Sequence, residues 1–128
     1  MRERGFTLFE LILVVAMLGV LAVTGLPRFI NLSDNAKDSS MESTVGALRS
    51  SLAIYRANDA ATTSTDGNYP VVLDMTAVGS PCSTCFSALL ANGLQDSAWS
   101  KDADHSYTYN DGINVTTFTY NSTNGTFD

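Results

Sequence analysis

Three groups of side chains in this sequence are of types that could do chemistry. The first is Pro81-Cys82-Ser83-Thr84-Cys85, a pair of thiols separated by two residues. As a redox pair they would need a strand-to-helix junction in a βαβ unit, where a helix N-terminus favours the thiolate. As a zinc site they would need four ligands, and His105 is the one histidine in the chain. As a disulfide they would close a tight local loop, the default outside the cytoplasm. The second group is Asp102, Asp104 and Asp111, hard oxygen donors of the kind that hold calcium. Their spacing fits no defined calcium loop, and acids beside turns are ordinarily just solvated. The third is Glu10, a carboxylate inside an apolar run.

Glu10 is the most demanding of these. Over residues 6–26 the polar side chains are Thr7, Glu10 and Thr24, and about 20 apolar residues suffice to cross a bilayer core. Arg2 and Arg4 precede the run and the next base is Arg28, which puts the N-terminus on the cytoplasmic side. A carboxylate within the membrane costs roughly 2.5–3.5 kcal/mol on insertion scales. Its place near a helix start offsets part of that through the helix dipole, so a partner is expected. A secretory signal fits poorly, because Ala22-Val23-Thr24 is a weak cleavage site and a carboxylate interrupts the apolar stretch. A cut between Gly5 and Phe6 would supply the partner. The new α-amine would lie near Glu10 in sequence and could pair with it within one helix or between neighbours, where an unpaired charge is expensive.

The residues Arg4-Gly5-Phe6-Thr7-Leu8-Phe9-Glu10-Leu11 resemble the class III leader and mature start of type IV pilins and type II secretion pseudopilins. The likeness is strongest over residues 1–57, and the stretch from Leu21 through Pro27 to Leu32 is similar to pilins of the mannose-sensitive haemagglutinin type. The resemblance implies removal of residues 1–5 by a prepilin peptidase that cuts after Gly5. It implies N-methylation of Phe6, an assembly role for Glu10, and a glycine and a proline, Gly19 and Pro27, that bend the helix. It also implies an α+β fold of the type IV pilin kind, a long N-terminal helix packed on a small antiparallel sheet. Many such pilins close a large C-terminal loop with a disulfide; cysteines at 82 and 85 cannot do so.

These groups require particular elements to hold them. Residues 6–27 read as a transmembrane or filament-core helix and residues 28–58 as its amphipathic continuation. Met41, Val45, Leu48, Leu52 and Tyr55 make one apolar stripe. Pro27 removes one helical hydrogen bond and Gly19 weakens the helix further up. Ser33, before Asp34 and Lys37, offers local capping. At about 1.5 Å per residue a rod over residues 6–58 would reach roughly 80 Å. Residues 59–128 read as a head: a polar loop over 60–68, an extended segment over 69–73, a short helix over 86–91 and strands over 105–109, 113–120 and 126–127. Turns fall at Asn110-Asp111-Gly112 and over 121–125. Tyr107, Tyr109, Phe118 and Tyr120 read as sheet packing. Four Asn-x-Ser/Thr patterns, at Asn31, Asn114, Asn121 and Asn124, are cheap matches in a chain of this composition.

Composition narrows the function. Of 128 residues 45% are apolar and 16% charged, so the chain is no disordered polyelectrolyte. The formal charge is −6, which speaks against nucleic acid as a partner, since phosphate binding needs a basic footprint. No catalytic constellation, cofactor motif or metal set rises above chance, so the chain reads as a non-enzyme. The expectation is a structural subunit of a type IV pilus, a helical homo-oligomer built from inner-membrane precursors by a pilus assembly platform and displayed outside the cell for adhesion or motility. The alternatives are a periplasmic pseudopilin of a type II secretion system and, in another class, a membrane-tethered thiol–disulfide protein using Cys82 and Cys85.

Overall fold

The structure, a computed structural model, describes residues 5–63 and 66–128. Arg2 and Arg4 of the expected leader, and Ser64 and Thr65 of the expected loop, lie outside the described residues. The fold is α+β: helix α1 (Leu8–Thr63) is followed by strands β1 (Ser80–Cys85), β2 (Leu94–Ala103), β3 (Ser106–Asn110), β4 (Val115–Asn121) and β5 (Thr126–Phe127). The chain divides into two compact units, Met1–Lys37 and Asp38–Asp128.

In the first unit α1 is apolar over Leu8–Gly25, long enough to cross a membrane, and none of that stretch is buried. The helix is continuous through Gly19 and Pro27, although proline has no N–H to give to the preceding turn. It also runs through Ser33, so the expected cap is not there: a serine side chain caps a helix only where the chain enters it.

In the second unit the apolar stripe is real. Val45, Leu48 and Leu52 are buried, and Met41 packs against them. Tyr55 departs from the stripe, being 38% exposed, at a shallow cleft beside Leu89. The helix also outlasts the expected end at residue 58. Ala60 and Ala61 are strong helix formers, and the hydroxyls of Thr62 and Thr63 fold back to donate to the carbonyls of Asn58 and Asp59 at 2.7–3.1 Å.

The sheet is an antiparallel meander in the order β1-β2-β3-β4-β5. Side chains two apart share a face, so Trp99 and Lys101 of β2 both point inward. The register sets Trp99 opposite Tyr109 and Lys101 opposite Tyr107, and Tyr107 opposite Phe118. Phe86, Trp99, Tyr107, Phe118 and Phe127 then meet ring to ring, with Phe118 and Phe127 stacked at 5.5 Å and Phe86 edge-on to Phe127 at 5.7 Å. This is the packing role expected of the sheet aromatics.

One sequence reading fails here. Residues 86–91 are turns, not a helix, because Phe86 takes a left-handed backbone (φ 61°) and its N–H goes to the Asp74 carboxylate at 3.0 Å. The N–H of Ala88 goes across the chain to the Leu73 carbonyl at 3.0 Å, leaving one turn closed by the Leu90 N–H on the Phe86 carbonyl. Residues 69–73, expected as an extended segment, belong to no helix or strand. They are anchored by the Tyr120 hydroxyl, which donates to the Pro70 carbonyl at 2.7 Å.

Candidate functional site

The residue pattern Thr7-Leu8-Phe9-Glu10 is a helix-start signature, and the structure uses it so. Thr7 stands just before the first helical residue. The Glu10 N–H donates to Thr7 Oγ1 at 3.3 Å, and the Thr7 N–H donates to Glu10 Oε2 at 3.1 Å. The Thr7 hydroxyl donates to the same carboxylate oxygen at 3.0 Å. This reciprocal arrangement is a capping box. Glu10 therefore has a local partner within its own helix, which the sequence reading missed although the Thr-x-x-Glu spacing carried the signal. Gly5 and Phe6 precede the helix and are exposed, and with Thr7 and Glu10 they line one open cleft.

Beyond Glu10 the surface is uniformly apolar: from Leu11 to Val23 every side chain is exposed. A typical monomer's largest contiguous apolar patch is about 300–600 Å². A helix with apolar side chains on every side for more than three turns is built to be covered, by lipid or by other helices.

The cysteines are joined. Cys82 and Cys85 form a disulfide with their Cα atoms 5.1 Å apart, and both residues are buried. They lie in β1, where the pairing with β2 slips on both sides of Cys82. The bond closes that bulge, with Ser83 and Thr84 pushed outward. No helix follows, so the strand-to-helix junction that activates a redox thiol is missing. Among the described residues there is no cluster of three or more metal-ligating side chains. Asp111 instead accepts the N–H groups of Ile113 and Asn114 at 2.6 Å, fixing the β3–β4 turn. Asp102 is engaged by Thr108 and Ser100.

The chief polar feature that sequence reading did not anticipate is a buried network. Lys101 Nζ donates to Asp74 Oδ1 at 3.0 Å, with side-chain exposures of 4% and 0%. The Tyr107 hydroxyl donates to Asp74 Oδ2 at 2.6 Å, and the N–H groups of Phe86 and Thr76 complete the shell. Burial alone would raise the Asp74 carboxyl. The hydrogen bonds from Tyr107, Phe86, Lys101 and Thr76 outweigh it and hold the group below its ordinary range. Tyr107 is driven well up, first by burial and then by Asp74. A fully satisfied carboxylate without access to solvent is a structural tie, not a catalytic acid.

The prokaryotic N-terminal methylation motif matches residues 1–26. The type IV narrow pilus major component PilA5 of Thermus thermophilus is 43% identical over 54 residues, 42% of this chain and 47% of that protein. The type IV major pilin protein PilA of Myxococcus xanthus is 45% identical over 47 residues, 37% of this chain and 21% of its own length. The type II secretion system core protein G of Dickeya chrysanthemi is 36% identical over 58 residues, 45% of this chain and 38% of its own length. The chain thus spans less than half the length of these curated relatives. No solved structure matches it.

Proposed function

We propose that this chain, a type IV pilin or pseudopilin by its N-terminal helix, is the structural subunit of a type IV pilus filament. The observation that carries the reading is the helical stretch Leu8–Gly25, apolar, unburied and headed by one carboxylate. As a precursor it would sit in the inner membrane with residues 1–5 in the cytoplasm. A prepilin peptidase would cut after Gly5, in the exposed segment ahead of α1, and the new terminus at Phe6 would be methylated. An assembly platform would then move the subunit into a growing extracellular filament.

Assembly rather than turnover is the mechanism. Each side chain from Leu8 to Gly25 leaves lipid for neighbouring helices, so its hydrophobic contribution is similar before and after transfer, and packing and register decide the outcome. Glu10 supplies the register. In the free subunit its carboxylate is held by Thr7, which lowers the cost of membrane residence. In the filament it gains the charged α-amine of a neighbour's Phe6, a charge-assisted hydrogen bond about twice as strong as a neutral one. Gly19 and Pro27 are the weak points at which the helix would bend to pack.

The second reading, a pseudopilin of a type II secretion system, is favoured by the likeness to secretion core protein G. The thiol–disulfide reading gains nothing from the geometry, since the Cys82–Cys85 bond is buried in a strand. The test begins with the mass of the protein from its native envelope. A chain starting at Phe6 with one added methyl group supports the reading, a start near Gly25 overturns it, and an intact Met1 leaves an unprocessed precursor or an ordinary membrane anchor. Surface filaments by electron microscopy, against a secretion defect on deletion, separate pilin from pseudopilin.

A further inference from the structure

The unit Asp38–Asp128 carries three basic residues, Arg49, Arg56 and Lys101. Arg49 pairs with Asp128 at 2.9 Å and Lys101 with Asp74 at 3.0 Å. Arg56 pairs with no carboxylate among the described residues. It is nonetheless held firmly. Its Nε donates to the carbonyls of Asp66 and Gly67 at 3.3 Å. Its Nη1 donates to the Tyr69 hydroxyl at 3.3 Å, and the guanidinium lies 5.2 Å over the Tyr69 ring. The ring also lies against Gly125, in a left-handed backbone (φ 74°), where a Cβ would collide with it. Tyr69 thus packs against both the arginine and the β4–β5 turn. The guanidinium is pre-positioned, and no described group takes its Nη2 donors.

This arginine opens on a cleft of about 530 Å³, lined also by Asn68, Tyr69, Ser122, Thr123 and Asn124. That size falls within the roughly 300–1,000 Å³ of small-molecule sites. The walls combine short hydroxyls and amides with two less polar surfaces, the Tyr69 ring and the exposed Val71, as a sugar's mixed faces require. Asn124 turns its Oδ1 inward to the Thr126 N–H and hydroxyl at 3.1 and 3.0 Å, which leaves its Nδ2 as a donor. One fixed cation, facing neutral hydroxyl and amide groups in an otherwise acidic unit, suits a ligand with a single carboxylate and several hydroxyls. A polyphosphate or nucleic acid would need more positive charge than one arginine provides.

We propose that this cleft binds a carboxylated sugar, its carboxylate on Arg56 Nη2 and its hydroxyls on Asn68, Ser122, Thr123 and Asn124. The site would work the same way in a pilus subunit, a pseudopilus subunit or the isolated full chain.

The test is titration of the full chain in detergent micelles, followed by amide chemical shifts. Methyl glucuronide is the probe, with methyl glucoside, which differs at one carboxylate, and acetate as controls. Saturable shifts at Asn68 and residues 122–124 are expected with the glucuronide, and binding at least about tenfold weaker with either control, the fold-change of a lost charged hydrogen bond. Arg56→Gln should weaken glucuronide binding by about tenfold or more. Because Arg56 also holds its loop, Asn124→Asp is the companion: it keeps the inward oxygen and the fold while placing a negative charge at the site. It should bind at least about tenfold more weakly at an unchanged unfolding temperature. Absent or unsaturable shifts, equal binding of glucoside or acetate, or wild-type affinity in both variants would overturn the proposal.

Discussion

The two units of this chain solve opposite problems. In Asp38–Asp128 the sheet's rings pack against one another, and even a lysine and an aspartate are buried because each satisfies the other. In Met1–Lys37 the apolar side chains over Leu8–Gly25 find none within the unit. The stability of the first kind belongs to the single molecule; that of the second depends on lipid or on other copies. The same helix carries both surfaces, with Val45, Leu48 and Leu52 committed inward and Leu13 or Val20 left outward.

Substitutions in one unit should therefore leave the other's behaviour intact, and the largest separation is expected at Glu10. Glu10→Ala should leave the head folded and the leader cut, yet abolish or sharply reduce filaments; normal filaments from that mutant would remove its assembly role. Next in size is Lys101→Met, which strands a buried carboxylate and should cost about 3–5 kcal/mol of head stability, read by thermal unfolding in detergent. A loss below about 1 kcal/mol would mean that Asp74 is satisfied without the lysine.

Removing the disulfide with Cys82→Ser and Cys85→Ser should cost about 2 kcal/mol, the small value set by so short a loop. Equilibrium urea unfolding checks it, and an unchanged midpoint would show that the bulge holds its shape unaided.

The pH dependence follows from the same core. Asp74 lies below its ordinary range when folded, so its contribution is present above the unfolded carboxyl value and is lost as acid reaches its lowered one. Tyr107 and Tyr120 are raised, Tyr120 to about 12, chiefly by burial. Their contribution is complete below about pH 10, the ordinary tyrosine value, and is lost as pH rises above it. Near-ultraviolet circular dichroism should stay flat between these limits, while the helical signal of the apolar segment Leu8–Gly25 persists beyond them. Loss of the aromatic signal near neutrality would contradict the assignment.

The smallest effect is expected from Thr7→Val, which deletes the hydroxyl half of the capping box for about 1 kcal/mol. Filament yield should fall modestly, and a fall as deep as that of Glu10→Ala would mean the threonine also makes contacts between subunits.

The long helix, its inward stripe and the strands after residue 105 were legible because each obeys a clear period: Val45, Leu48 and Leu52 at helical spacing, Tyr107 and Tyr109 at strand spacing. β1 and β2 were not. β1 is Ser-Pro-Cys-Ser-Thr-Cys, with a proline that only an edge strand tolerates, and β2 buries two residues, Trp99 and a lysine. A lysine counted as surface charge cannot announce a strand face. The apolar run at 86–91 has helical composition, but composition does not reveal that Asp74 captures the Phe86 N–H. At the N-terminus the apolar stretch and Glu10 stood out because a charge in a membrane segment is rare, whereas Thr7 was overlooked as an ordinary polar residue.

The meander order of the sheet has a kinetic meaning. Strands that pair with their sequence neighbours form through short loops, so β1 to β5 can zip hairpin by hairpin with little closure entropy at any step. Among the longest of the ties that reach beyond the meander is the clasp between the helix and the last strand, where Arg49 Nε and Nη2 donate to the Phe127 carbonyl across 78 positions at 3.0 and 2.9 Å. That long-range closure belongs late in folding. A head held together this way matures in local steps, with its aromatic centre sealed only when the final strand reaches the helix.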